Sequence, residues 1–283
     1  MKVITSIAEM QSSAEALRRQ GKSIGVVPTM GYLHEGHLSL IRVAKQRSDA
    51  VITTIFVNPA QFSPNEDLSK YPRDLERDKK LAQSAGTDIL FVPDLQEIYP
   101  PGYSTFVTVE HLTSVLEGEV RPTHFRGVTT IVAKLFNITK PHIAVFGQKD
   151  AQQAVVIQRM AVDLNFDTQI IIAPIMREAD GLAMSSRNVY LSLTERSASI
   201  VLYESLKLAE KLIRGGERKS DNIRSEMNNF LRLTPSATVD YVSIADPSTL
   251  QEKSTLAPGE TVLVSLAVRI GVTRLIDNAL INV

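Results

Sequence analysis

Along the first 175 residues, short uninterrupted apolar runs alternate with amphipathic stretches. The runs are IGVVP (24–28), AVITTIFV (50–57), DILFV (88–92), HIAVF (142–146) and TQIIIA (168–173). Runs of this length suit strands buried on both faces of a parallel sheet. The stretches between them have helical spacing. A first helix is expected to open at the capping box Ser6-Ile7-Ala8-Glu9 and to close after Arg18 and Arg19, before Gly21. Others are expected over 37–47, with Leu40, Val43 and Ala44 on one face, and over 72–85, 128–138 and 151–164. Such alternation predicts a Rossmann-like α/β domain whose ligands sit in the loops that follow the strands.

After Pro174 the pattern changes. A long helix is expected from the capping box Ser192-Leu193-Thr194-Glu195 to Gly215-Gly216, and a shorter one to Leu233, ahead of Pro235. Three strands follow, over 238–244, 261–268 and 273–281. The alternation of Val239, Tyr241 and Ser243 with Asp240, Val242 and Ile244 predicts a small antiparallel sheet with one solvated face. The expected organisation is a Rossmann-like domain over 1–175 and a smaller α+β domain over 176–283. No internal repeat or low-complexity linker is visible.

Composition narrows the function. Lys plus Arg and Asp plus Glu both number 31, for a formal net charge of zero. A chain with no global field is not drawn to nucleic acid or an anionic membrane, so any anion must be held locally. With no cysteine among 283 residues, thiolate chemistry, disulfides and Cys-ligated zinc are excluded. The start MKVITSIAEM lacks the apolar run of a signal peptide, and no uncharged stretch approaches the ~18 residues of a membrane span. A cytoplasmic protein is expected.

Four stretches carry chemistry. PTMGYLHEGH places His34 and His37 around Gly36 between a strand end and a helix start, where unpaired N–H groups and a positive dipole end favour phosphate. A metal pair is disfavoured: the spacing is not His-Glu-x-x-His and no third ligand is evident. FVNPAQF presents the amides of Asn58 and Gln61 from an apolar turn, as a small-molecule pocket does. FGQKDAQQ supplies Gly147, Lys149, Asp150 and Gln153; DGLAMSSRN supplies Ser185, Ser186 and Arg187 on the expected hinge. Read alone, these last two are a helix cap and a polar linker. Converging at strand ends, the four would make a triphosphate site beside an amide-lined pocket. RPTHFRGV adds His124 and Arg126 without a clear role. Gly-x-Gly-x-x-Gly, the P-loop and the Gly-x-Ser-x-Gly elbow are all missing, which weakens dehydrogenase, P-loop ATPase and serine hydrolase readings.

Taken together, PTMGYLHEGH, FVNPAQF, YPRD, LEGEVRPTHFRGV, FGQKDAQQ and DGLAMSSRNVYL closely resemble the pantoate–β-alanine ligase (pantothenate synthetase) family. His34-Glu35-Gly36-His37 is similar to the His-x-Gly-His signature of the nucleotidyltransferase superfamily, and Met184-Ser185-Ser186-Arg187 to its second signature loop. The resemblance implies ATP-dependent, AMP-forming condensation of pantoate with β-alanine through a pantoyl adenylate. It implies that Met30, Gly31, Tyr32, Leu33, His34, Glu35, Gly36 and His37 line the ATP site, with His37 as proton donor. Gly147, Gln148, Lys149 and Asp150 would contact the nucleotide, Lys149 at the α-phosphate. Met176 would recognise adenine, and Met184, Ser185, Ser186 and Arg187 would cover the outer phosphates. Gln61 and Gln153 would hold pantoate, and Gln61 would border β-alanine, supported by Asn58 and Tyr71. The resemblance further implies Mg²⁺ arriving with ATP, no tightly bound organic cofactor, a C-terminal lid and a homodimer. Gln148 stands where the family's Gly-Glu-Lys-Asp stretch carries an acid.

Three other readings compete. A nucleotidylyltransferase acting on a phosphorylated acceptor would share the histidine signature but need a basic pocket for the second phosphate. A non-catalytic nucleotide sensor would bind ATP without turnover, and a metal hydrolase would need a transition metal.

Overall fold

The computed structural model describes residues 1–64 and 66–283. They form two compact units: Met1–Gln148 with Val156–Pro174, and Lys149–Val155 with Ile175–Val283.

In the first unit the chain runs β1 (Lys2–Ile4), α1 (Ile7–Arg19), β2 (Ile24–Thr29), α2 (Glu35–Arg47), β3 (Ala50–Ile55), α3 (Leu75–Ala85) and β4 (Ile89–Phe91). Two single turns follow, α4 (Leu95–Ile98) and α5 (Glu117–Val120), then α6 (His124–Thr139), β5 (Ile143–Gly147), α7 (Ala151–Asp163), whose first residues group with the second unit, and β6 (Gln169–Ala173). The strands make one parallel sheet of order β1-β4-β3-β2-β5-β6. Both faces are buried, which is why the strands read as unbroken apolar runs. Val26, Ile52, Phe91, Ala144 and Phe146 point into one core with α1 and α6 residues such as Met10 and Val132. Val27, Val51, Leu90 and Val145 point into the other with Ile41 and Ala82 of α2 and α3. Progression goes from β2 to one side, through β3 and β4, and then returns to β5 on the other. This reversal is a topological switch point, where ligands of open α/β sheets bind. The loops leaving β2 and β5 flank it.

The second unit contains α8 (Leu193–Ala198), α9 (Val201–Arg214), α10 (Ser220–Arg232), β7 (Ala237–Ala245), β8 (Thr261–Ile270) and β9 (Thr273–Asn282). The strands form an antiparallel sheet with β8 central. Leu206, Ile213 and Met227 of the helices pack on Val262, Val264, Leu266 and Val268.

Several boundaries differ from expectation. The short edge strand β1 had no sequence signal. α2 starts at Glu35, because His34 caps it, and α6 starts four residues early, at His124. The single long helix after Ser192 is two, α8 and α9, separated by a turn at Ser199 and Ile200; there the Ser199 hydroxyl and N–H both donate to the Glu195 carbonyl, at 2.7 and 2.9 Å. The solvated face expected of the small sheet fails for β8, whose Leu263, Ser265 and Ala267 are as buried as their neighbours. In β7, Asp240 is an extra residue at a register shift, and Arg269 and Arg274 pair with it.

Candidate active site

The loop between β2 and α2 is held by a set of side-chain-to-backbone hydrogen bonds. Thr29 anchors its start, its hydroxyl donating to the Thr54 carbonyl (2.7 Å) and accepting from Gly31 N–H (3.1 Å). Gly31 and Tyr32 then both take left-handed backbone, φ +84° and +49°. Two N–H groups of the turn, Tyr32 and Leu33, donate at 2.7 Å each to the two carboxylate oxygens of Asp78 on α3. Burial pushes the Asp78 carboxyl up from its ordinary range, and these two bonds oppose the shift.

His34 and His37 share the cap of α2. Gly36 N–H donates to His34 Nδ1 (3.2 Å), and His34 N–H donates to His37 Nδ1 (3.3 Å). A ring nitrogen that accepts carries no proton, so each neutral imidazole holds its proton on Nε2. The rings lie 4.1 Å apart at 45°. Open amides were expected at this helix start. Instead, those of Gly36 and His37 are taken by the His34 side chain and carbonyl. The polar hydrogens of the two neutral rings thus sit on Nε2, at the positive end of a thirteen-residue helix.

The second construction follows β3. Asn58 caps a short 3-10 turn over Pro59–Gln61. Its amide is oriented by four partners: Oδ1 accepts from Ala60 N–H (3.3 Å) and Tyr99 O–H (2.8 Å), while Nδ2 donates to the Gly127 carbonyl (3.1 Å) and to Gln61 Oε1 (3.1 Å). Gln61 Nε2 in turn reaches Met30 Sδ at 3.3 Å, so the amide turn and the histidine loop meet. The turn is clamped to the start of α6. The Gln61 carbonyl accepts from His124 Nδ1 (2.9 Å) and from Arg121 (3.3 Å), and Arg121 is held by Glu66. Burial, then the Arg121 charge, lower the His124 pKa to about 4, so it is a neutral Nδ1–H donor near neutral pH. Gly127 admits the turn: a Cβ there would lie 2.3 Å from the Ala60 carbonyl oxygen. Tyr71 is buried edge-on to Phe62, 6.0 Å between ring centres.

Gly147 closes β5 beside Leu40 of α2, and Gln148 opens a 3-10 turn through Asp150. In the second unit, the Lys149 carbonyl accepts from Asn278 Nδ2 of β9 at 3.0 Å, and Lys149 Nζ lies 3.7 Å from Asp150. Gln153 is half-buried near the start of α7. The chain after β6 folds back on itself: Met184 N–H donates to the Met176 carbonyl (2.9 Å), and Arg177 bridges to Ala183. Ser185 caps the 3-10 helix Ser186–Tyr190, its hydroxyl accepting from Arg187 N–H. The loop is braced by Arg177, whose guanidinium grips the buried Asp277 of β9 (2.6 and 2.9 Å) and the Gly181 carbonyl (3.0 Å). Arg196 adds bonds to Glu178 and Asp180.

The residues singled out from the sequence thus fall into two groups. Met30 through His37, Asn58, Gln61, Tyr71, Gly147 and Gln148 belong to the first unit. Lys149, Asp150, Gln153, Met176, Met184, Ser185, Ser186 and Arg187 belong to the second. Missed were the residues that hold them: Asp78, Arg121, Gly127, Arg177, Asp277 and Asn278, with His124 noticed but unassigned. Asp78 had a signal, since it lies four and seven residues before Ala82 and Ala85, on the buried face of α3. Among the described residues, no group of three His, Asp or Glu could hold a metal ion, and no helix is long and apolar enough to cross a membrane.

A six-stranded parallel sheet wrapped by helices, with a histidine-capped helix at its switch point, defines an open, Rossmann-like α/β protein. Residues 2–280 match the model of the pantoate–β-alanine ligase family. A pantothenate synthetase from Heliobacterium modesticaldum is 56% identical over 283 residues, covering all of both chains. Among solved structures, a pantothenate synthetase from Thermus thermophilus superposes with a TM-score of 0.94 at 43% identity, again over both full chains. A Francisella tularensis pantoate–β-alanine ligase, complexed with β,γ-ATP and β-alanine, superposes with a TM-score of 0.81 at 35% identity, covering 99% of this chain and 97% of that one. The chain belongs to the pantoate–β-alanine ligase family.

Proposed function

We propose that the protein joins (R)-pantoate to β-alanine at the expense of ATP, giving pantothenate, AMP and pyrophosphate. The observation that carries this reading is the family match along 2–280, with which the two Nε2–H imidazoles at the switch point agree. In the first step a pantoate carboxylate oxygen attacks the α-phosphorus. The bond from that phosphorus to the bridging oxygen breaks, and pyrophosphate leaves with the electron pair. The carboxylate is already ionised near neutral pH, so positioning and charge stabilisation dominate and no general base is needed. In the second step the uncharged amine of β-alanine attacks the acyl carbon. The acyl–oxygen bond breaks, AMP leaves, and the amine gives up a proton.

In this reading His34 and His37 donate from Nε2 to phosphate oxygens as charge builds, and His37 is the proton donor. Lys149 supplies a point charge to the α-phosphate, and Met184, Ser185, Ser186 and Arg187 serve the outer phosphates. Gly147, Gln148 and Asp150 contact the nucleotide, and Met176 meets adenine. Gln61 and Gln153 hold pantoate. Asn58 takes up Gln61 Oε1 and Met30 Sδ one of its Nε2 hydrogens, so the second Nε2–H is the one that serves a substrate oxygen. Magnesium enters as the counter-ion of ATP, keeping most of its waters. The family resemblance also supports a homodimer, for which sedimentation is the check, and a cytoplasmic site of action.

The test is release of AMP and pyrophosphate from Mg-ATP with pantoate and β-alanine added singly and together. AMP that forms only with both present is the expected result. No AMP with both would overturn the reading and turn attention to phosphorylated acceptors.

A further inference from the structure

The loop that delivers the two imidazoles is built from backbone that most residues avoid. Tyr32 carries a full side chain at φ +49°, directly after Gly31 at φ +84°. Left-handed backbone costs a non-glycine residue about 1–2 kcal/mol, so a partner outside the loop has to hold it. The first turn of α3 is that partner. Asp78 takes the amides of Tyr32 and Leu33 with one oxygen each, both at 2.7 Å. Its Oδ2 lies 3.0 Å from where a Gly31 Cβ would be, so the carboxylate fills the concave side of the turn. One residue earlier, the Arg77 guanidinium lies 5.0 Å from the centre of the Tyr32 ring. Backbone and side chain of Tyr32 are thus both held by α3, two residues before His34.

We propose that Asp78 and Arg77 are positioning residues for adenylate formation, through a clamp on Tyr32 that fixes where His34 and His37 aim their Nε2–H groups. This rests on the function proposed above. The choice of side chain supports it. A buried carboxylate is an expensive way to stabilise a turn, and apolar packing at this helix face would serve stability better. What packing would not give is direction. Two oxygens accepting from two successive N–H groups define a plane, and charge-assisted bonds of this kind are short and stiff. A neutral amide offers one acceptor where the turn has two donors. The carboxylate also occupies the amides of Tyr32 and Leu33, so an anion is left to the imidazoles rather than to the turn.

Three readouts test the clamp in the full-length protein. Pantoate-dependent exchange of labelled pyrophosphate into ATP reports the first half-reaction. Conversion of chemically made pantoyl adenylate with β-alanine reports the second. Equilibrium binding of a non-hydrolysable ATP analogue reports the nucleotide site without any chemistry. Asp78→Asn is expected to slow exchange about 10- to 100-fold, on the scale of an ångström's misplacement. It should weaken analogue binding about tenfold and change the second half-reaction less than about threefold. Arg77→Gln alters a half-exposed side chain and spares the core. It should lower exchange a few-fold with the same selectivity, and it decides the matter alone if Asp78→Asn does not fold. Parallel loss of both half-reactions in a folded variant, or no loss of exchange, overturns the proposal. If the unaltered protein shows no pantoate-dependent exchange, the proposed function falls and the clamp's part in adenylate formation falls with it; weaker analogue binding by Asp78→Asn would then mark only a part in seating the nucleotide.

Discussion

Replacing Gly127 by alanine adds one methyl group, and the structure gives the size of the consequence. The new Cβ would lie 2.3 Å from the Ala60 carbonyl oxygen, 2.4 Å from its carbon and 2.5 Å from the Gln61 nitrogen, where ordinary contact begins at 3.4 Å. All three atoms are backbone, so no side chain can swing aside. Either α6 or the turn over Pro59–Gln61 has to move by about 1 Å. Movement opens the bond from Asn58 Nδ2 to the Gly127 carbonyl and the bond from His124 to the Gln61 carbonyl. Overpacking of this kind costs about 1–3 kcal/mol, or roughly 2–4 °C in melting temperature per kcal/mol for a unit of this size. Misplacing the Gln61 amide by an ångström costs on the order of 10² in kcat/KM. Calorimetric melting with steady-state kinetics, pantoate and ATP varied separately, should show a modest drop in stability. The loss in kcat/KM should be concentrated on pantoate. A folded Gly127→Ala protein with kcat/KM for pantoate within threefold of normal would refute the view that this glycine seats the amide turn.

Further outcomes are expected. His37→Ala and Lys149→Ala should each lower kcat by about 10²–10³, as loss of one charge-stabilising donor does; Lys149→Ala should melt normally and His37→Ala slightly lower, having lost one capping bond of α2, and near-normal turnover in either would count against the assigned roles. His124 has a folded pKa of about 4, below its ordinary 6.5, so the unfolded chain binds the extra proton as pH falls between those values. Its contribution to stability is therefore lost on acidification from about 6.5 to 4 and amounts to about 3 kcal/mol. Urea unfolding across that window should show a steeper pH dependence for the native protein than for His124→Asn, which keeps a donor near the same place but does not titrate. Asp277→Ala should cost roughly 3–5 kcal/mol by leaving Arg177 in a largely buried position without its partner. The pair Arg177→Met with Asp277→Leu should cost less than that single change, as denaturant titration would show.

The sheet was legible because burial on both faces leaves short apolar runs, such as Ile24, Val26 and Val27, bounded by turn residues and alternating with helical spacing. The histidine loop and the amide turn were legible as chemistry, since His34, His37, Asn58 and Gln61 are polar groups at strand ends. What supports them was not. Gly127 is invisible until Ala60 is laid against it, and the His124–Gln61 bond spans 63 residues. Asp78 reads as one more charge on an acidic and basic helix unless its face is counted. Local pattern records what a residue is, while these roles belong to pairs distant in sequence.

The last strand has a consequence in time. Asp277 holds Arg177, and Asn278 holds the Lys149 carbonyl, across separations of 100 and 129 residues. On the ribosome, Lys149 and Arg177 are made long before either partner exists. Until β9 has been translated and paired with β8, Arg177 has the Gly181 carbonyl but not Asp277, and the Lys149 carbonyl lacks Asn278. A message that stops short of codon 277 would therefore yield a protein carrying every signature motif yet lacking the two side chains that tie Lys149 and Arg177 down.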